Sequence, residues 1–229
     1  MPDVEFATSA EAVPGYLAVP TDEHGPATIV MHEWWGLDAS VRALCDRFAE
    51  EGFYALAPDL YRGDTTTQPS EAEQKMMALS MDRAVADMCG AAEYLSSRPG
   101  VEGSGVGAVG FCLGGGLAMW AAASCPQITA AATYYYVLPH AKPDFSKISG
   151  PVLGHFGTGD EFVPLQAAQT LEKEIRDAGV DVTFHYYEGA GHAFANDHNR
   201  LGTYDPELTD TAWQRTVGFL RSALAPTAA

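Results

Sequence analysis

Short apolar runs alternate with amphipathic stretches along most of this chain of 229 residues. Residues 27–31, 53–57, 105–111, 128–137, 151–156 and 182–187 are brief and largely apolar, which suits strands buried on both faces of a parallel sheet. Between them, apolar residues recur at three- and four-residue spacing. Val41, Leu44, Cys45 and Phe48 form one such stripe, and Val85, Met88, Cys89, Ala92 and Leu95 another. Leu165, Ala168, Leu171 and Ile175 form a third, and Trp213, Val217, Leu220 and Leu224 close the chain. Asp38 or Ser40 is placed to cap the first helix, while Gly52 and Gly179 stop the first and third. Ser70-Glu71-Ala72-Glu73 reads as a capping box after the polar loop 61–69, opening a helical pattern with room for a break before Leu95. Residues 4–7 and 15–19, punctuated by Pro14-Gly15 and Pro20, predict a hairpin or a pair of edge strands. The alternation predicts an α/β protein, a mainly parallel sheet of about seven or eight strands with helices on both faces, in one domain spanning 1–229.

Composition narrows the partners. The chain is 47% hydrophobic and carries 30 acidic against 13 basic residues, a net charge of -17. Such a field repels phosphate backbones, so nucleic acid is not an expected partner. No apolar run approaches the ~18 residues of a membrane span, and the first fifteen residues lack a basic segment followed by an apolar one. Four widely spaced cysteines (Cys45, Cys89, Cys112, Cys125) show neither a CxxC nor a zinc spacing. Cys45, Cys89 and Cys125 read as structural thiols in a reduced, cytoplasmic protein, monomer or homodimer, with no metal and no cofactor.

Cys112 stands apart. The run 105–111 ends in Gly110-Phe111-Cys112-Leu113-Gly114-Gly115, and a small-residue helical pattern follows. Strand, tight turn and helix are the context of a nucleophile elbow, with cysteine where serine is usual. A turn that holds a nucleophile in a strained conformation leaves room for a side chain on one side only, which explains the glycines. A thiol of pKa about 8.5 is only a few per cent ionised at neutral pH, so it needs a base, and the base an acid to orient it. Asp160, after the run 151–156, and His192, after 182–187, supply acid and base in the chain order nucleophile, acid, base. Glu161 is the neighbouring competitor for the acid. Aromatic residues gather at the same strand ends; Trp35, Tyr135, Phe162 and Phe194 are candidates for the wall of a substrate pocket.

These motifs, with Glu33-Trp34-Trp35-Gly36 after an early strand and Ala57-Pro58-Asp59-Leu60-Tyr61, resemble the dienelactone hydrolase family over roughly residues 15–220. The resemblance implies an α/β-hydrolase fold and hydrolysis of a small ester or lactone through an acyl-cysteine. It implies that Glu33 contacts the resting nucleophile and helps to activate it as substrate binds. The backbone N–H groups of Leu113 and Trp34 would form the oxyanion hole, each worth about 3–4 kcal/mol in the transition state. The family's arginines for a substrate carboxylate are missing: Asn196 stands at one position, four residues after the base, and the helix after the polar loop has none. Arg62, Arg83 and Arg200 are the candidates to replace them. Thioesterase or peptidase activity on the same fold, a non-catalytic binding module and a redox-sensing thiol protein are the competing readings.

Overall fold

The computed structural model describes residues 3–8, 11–138 and 141–226. Eight strands form one sheet: β1 (Asp3–Ala7), β2 (Ala12–Ala18), β3 (Gly25–Met31), β4 (Tyr54–Pro58), β5 (Val101–Phe111), β6 (Ile128–Tyr134), β7 (Val152–Gly157) and β8 (Val182–Tyr187). Their spatial order is β1-β2-β4-β3-β5-β6-β7-β8. The opening hairpin pairs antiparallel and β2 joins β4 antiparallel, while every pairing from β4 through β3 to β8 is parallel. Parallel strands need crossovers; α1 (Ala39–Glu50), α2 (Pro69–Ala78), α3 (Met81–Ser96), α4 (Leu113–Ser124) and α5 (Leu165–Asp177) supply all but that from β6 to β7, which holds a short 3-10 turn at Phe145–Lys147, and α6 (Pro206–Ala223) follows the last strand.

Strand alternation divides the interior into two cores. Ile29, Met31 and Ala108 pack with Met88, Leu95, Leu117 and Leu171 under α3, α4 and α5. Val30 and Val109 pack with Val41, Phe48, Trp213 and Val217 under α1 and α6. The carboxyl ends of β3, β5, β7 and β8 thus come side by side, and each leads into one of the polar motifs.

After the polar loop, local structure departs from the sequence pattern in one respect and follows it in another. The helix expected from a box at Ser70 starts earlier, at Pro69, with Gln68 as a cap that makes no side-chain bond. Proline at the first helical position needs no N–H partner and brings its φ already fixed. Glu71 instead accepts from the Thr66 hydroxyl at 2.5 Å. The break in the long helical pattern falls at Leu79 and Ser80, where the Ser80 hydroxyl accepts from Arg83 N and starts α3.

Cys89 and Cys125 form a disulfide between α3 and the C-terminal end of α4, which corrects their reading as free structural thiols. Neighbouring apolar stripes hid the pairing, since nothing in a spacing of 36 residues distinguishes two packed thiols from a bonded pair. Cys45 is buried and free, as expected, and Cys112 is the other free cysteine among the described residues.

The elbow imposes the tightest contacts. A Cβ on Gly110 would stand 1.9 Å from the Gly114 carbonyl oxygen, and one on Gly114 would stand 2.4 Å from that of Met31. Gly110→Ala should therefore destabilise the fold by more than about 3 kcal/mol in denaturant titration, the upper range for overpacking against backbone. Gly52→Ala, where a Cβ meets nothing within 4 Å and only the φ of +86° is unfavourable, should lose about 1 kcal/mol.

Candidate active site

Cys112 is the residue between β5 and α4, and it takes φ 52° and ψ -118°. That conformation is strained for a side chain, and backbone hydrogen bonds hold it. Cys112 N donates to Tyr134 O at 3.0 Å, and Cys112 O accepts from Gly115 N at 2.9 Å and Val137 N at 3.0 Å. The half-buried thiol sits at the N-terminus of α4, where the first N–H groups have no helical partner. Burial pushes the thiol well above its usual pKa, and the carboxylates of Glu33 and Asp160 push it further, while the Leu113 N–H works against them. At rest the group is a neutral thiol.

His192 and Asp160 meet beside it. Asp160 follows β7 and His192 follows β8, and neighbouring parallel strands deliver both to the same edge. His192 Nδ1 lies 2.8 Å from Asp160 Oδ2, and both residues are buried. Asp160 Oδ1 accepts from Phe162 N and Val163 N, each at 2.8 Å. The carboxylate is therefore both turn cap and histidine partner, and the two roles use different oxygens. Glu161 is exposed and makes no such contact. With Nδ1 donating to Asp160, Nε2 is left as the basic nitrogen. It has no hydrogen bond among the described residues, and the His192 ring lines the same cavity as Cys112. The Thr203 hydroxyl donates to the His192 carbonyl, and sequence spacing gave no sign of this support.

Glu33 follows β3 and is buried. Its Oε2 accepts from Asn196 Nδ2 at 2.7 Å, and its Oε1 has no partner among the described residues. Glu33 makes no hydrogen bond to the thiol, but it lines the same cavity and its charge acts on the thiol, while its Oε2 is turned to Asn196. Burial raises its pKa to about 7, against the opposing pull of the His192 ring and the Asn196 amide, with Asp38 adding to the rise. The N–H groups of Leu113 and Trp34 donate to no carbonyl among the described residues, and that of Leu113 faces the Cys112 thiol.

The cavity that Cys112 and His192 share has a volume of about 240 Å³ and is also lined by Glu33, Trp34, Trp35, Phe162 and Asn196. Two expected wall residues are elsewhere. Tyr135 and Phe194 are fully buried beneath it, with ring centroids 5.7 Å apart, and Tyr135 lies 5.0 Å from the His192 ring. Tyr135 lines a neighbouring cavity of about 130 Å³ together with Glu33, Trp35 and Asn196, while Phe194 packs on Tyr135 and Tyr187; strand-end position alone does not separate the two cavities. Of the three arginines, Arg62 pairs with Asp87 and Glu11, and Arg83 with Glu11. Only Arg200 lines the cavity, and it pairs with Asp38 at 3.2 Å. His140 lies outside the described residues. No cluster of metal-ligating side chains occurs among the described residues, and no described helix is long and apolar enough to cross a membrane.

The chain is similar to known proteins over nearly its whole length. The dienelactone hydrolase family profile matches residues 13–224. Protein usf of Aquifex pyrophilus is 36% identical, the match covering 96% of this chain and 98% of that one. A chain of Aquifex aeolicus provisionally named a carboxymethylenebutenolidase is 34% identical, with 96% and 98% covered. A Klebsiella pneumoniae crystal structure provisionally titled dienelactone hydrolase superposes with a TM-score of 0.85 at 27% identity, covering 95% of this chain and 96% of that one.

The buried Glu33 carries a stability consequence. Its pKa rises from 4.5 to about 7 on folding, so the folded state holds the proton more tightly. Its contribution is fully present below pH 4.5 and is lost as pH rises through 7. Glu33→Gln, which cannot ionise, should match the wild type near pH 4.5 and exceed it by about 3 kcal/mol at pH 8 in urea titrations. A constant difference across that range would contradict the assignment.

Proposed function

The chain belongs to the dienelactone hydrolase family, and from that membership we propose how it cleaves its substrate. It is a hydrolase of esters or lactones on the α/β-hydrolase fold. The nucleophile is Cys112, the base His192 and the orienting acid Asp160, all supplied by one domain. The observation that carries this reading is the buried His192–Asp160 pair at 2.8 Å, opening onto the same cavity as the strained Cys112.

The substrate carbonyl enters over Cys112 with its oxygen toward the N–H groups of Leu113 and Trp34. The thiol proton passes to His192 Nε2 as sulfur attacks the carbonyl carbon, and Asp160 stabilises the imidazolium. The two N–H groups hold the tetrahedral anion. Collapse breaks the C–O bond, and His192 returns its proton to the departing alkoxide, leaving an acyl-cysteine. Water then gives a proton to His192 and attacks the thioester; collapse expels the sulfur, which takes that proton back, and the acid is released. Glu33 assists the first step. Its ionised carboxylate acts as a base that relays the thiol proton toward His192, and while protonated it no longer opposes the thiolate; its pKa of about 7 lets it exchange protons in the working range.

Specificity departs from that implied by the family, because Asn196 holds Glu33 where an arginine would meet a substrate carboxylate. A redox-sensing role finds no support. Cys125, the nearest sequence candidate for a resolving thiol, is bonded to Cys89, and Cys45 is buried in the core on the α1 side.

Cys112→Ala should lower kcat/KM on p-nitrophenyl acetate by at least about a thousandfold with an unchanged unfolding midpoint. Turnover within tenfold of the wild type would remove Cys112 from the mechanism. The acid limb of the pH–kcat/KM profile should fall near 7, where Glu33 ionises. Asn196→Leu removes a donor that favours the ionised carboxylate, so that limb should move to higher pH. A limb that stays in place would detach Glu33 from activation.

A further inference from the structure

The cavity over Cys112 has a wall that points to a substrate class. Apart from the groups already assigned a chemical role, it is built mainly by Trp34, Trp35, Met76, Val137, Phe162 and Leu201. Phe162 is 64% exposed and Leu201 44%, and only two other large apolar side chains among the described residues, Val19 and Met77, are comparably exposed. Met77 adjoins Met76 of the wall. Scattered exposed apolar residues need no explanation, but their gathering at the edge of a cavity that holds a nucleophile marks a ligand surface.

The charges around the cavity point the same way. Glu33, Glu73 and Arg200 are its charged residues. Arg200 is engaged already: its guanidinium lies 3.2 Å from Asp38 Oδ2 and 4.5 Å from the Trp35 ring centroid. A ligand carboxylate would compete with Asp38 for that guanidinium while facing Glu33 and the exposed Glu73. It would also approach against the overall charge of -17. An alkyl chain meets none of these obstacles and gains from leaving water.

We propose that this cavity takes the acyl group of an uncharged ester, an apolar chain lying along Trp34, Met76 and Val137 toward Phe162 and Leu201, and that it rejects an acyl group ending in a carboxylate. The proposal rests on Cys112 being the nucleophile. It goes further by assigning a chemical class to what Cys112 receives.

A matched pair of substrates tests it. p-Nitrophenyl hexanoate and mono-p-nitrophenyl adipate share leaving group and chain length and differ in the terminal carboxylate. The wild type is expected to favour hexanoate at least about tenfold in kcat/KM. It should also favour hexanoate over p-nitrophenyl acetate by at least about tenfold, the gain from burying as few as two methylenes. Glu73→Lys should narrow the hexanoate–adipate gap by about fivefold. Adipate turned over as well as hexanoate, or a rate indifferent to chain length, would overturn the proposal. Cys112→Ala run alongside separates the failures. Activity that survives in that variant removes the catalytic reading and this proposal with it, whereas a Cys112-dependent preference for adipate removes the substrate class alone.

Discussion

The close approach of backbone at the end of β5 is the constraint on which the site depends. Gly110 and Gly114 bring the strand end, the first turn of α4 and the β3 carbonyls to distances that no Cβ could share. The sharp reversal forces Cys112 to φ 52°, and its side chain projects from the turn beside the first free N–H groups of the helix. One steric arrangement thus fixes both the proposed nucleophile and half of the proposed oxyanion site. The strain is sustained because both cores hold the strand and the helix that impose it.

Electrostatics then decide when that nucleophile acts. A thiolate at the N-terminus of a helix is ordinarily favoured. Here burial and the neighbouring carboxylates outweigh that preference, and the resting group is a protonated thiol. The same burial lifts Glu33 to about 7, so the carboxylate that opposes the thiolate is itself only partly charged near neutrality. Burial and the Glu33 carboxylate together favour the neutral form of the cysteine. A neutral thiol is also a poor target for oxidants, which act on thiolates.

Much of this was legible in the sequence because it depends on short-range rules. Glycines around Cys112 have a steric meaning wherever they occur between a strand and a helix, and buried parallel strands announce themselves as apolar runs. Asp160 and His192 could be placed because each follows such a run, at the sheet edge where function collects. The disulfide was not legible, because Cys89 and Cys125 meet only through the packing of α3 on α4. Nor was the depth of Tyr135 and Phe194, since the residues that close a cavity and those that floor it occupy similar positions along the chain. Arg200, Met76 and Glu73 reach the cavity from segments whose own pattern carries no chemical signal.

The proposed mechanism requires a covalent bond between substrate and Cys112. The most direct measurement is rapid acid quenching of the enzyme during turnover of an activated ester, followed by intact-mass and peptide mass spectrometry. An acyl adduct that appears within the first turnover, maps to the peptide containing Cys112 and decays as product acid forms is the predicted result. Steady turnover with no adduct at any quench time, or an adduct on another residue that is formed and released at the catalytic rate, would contradict it.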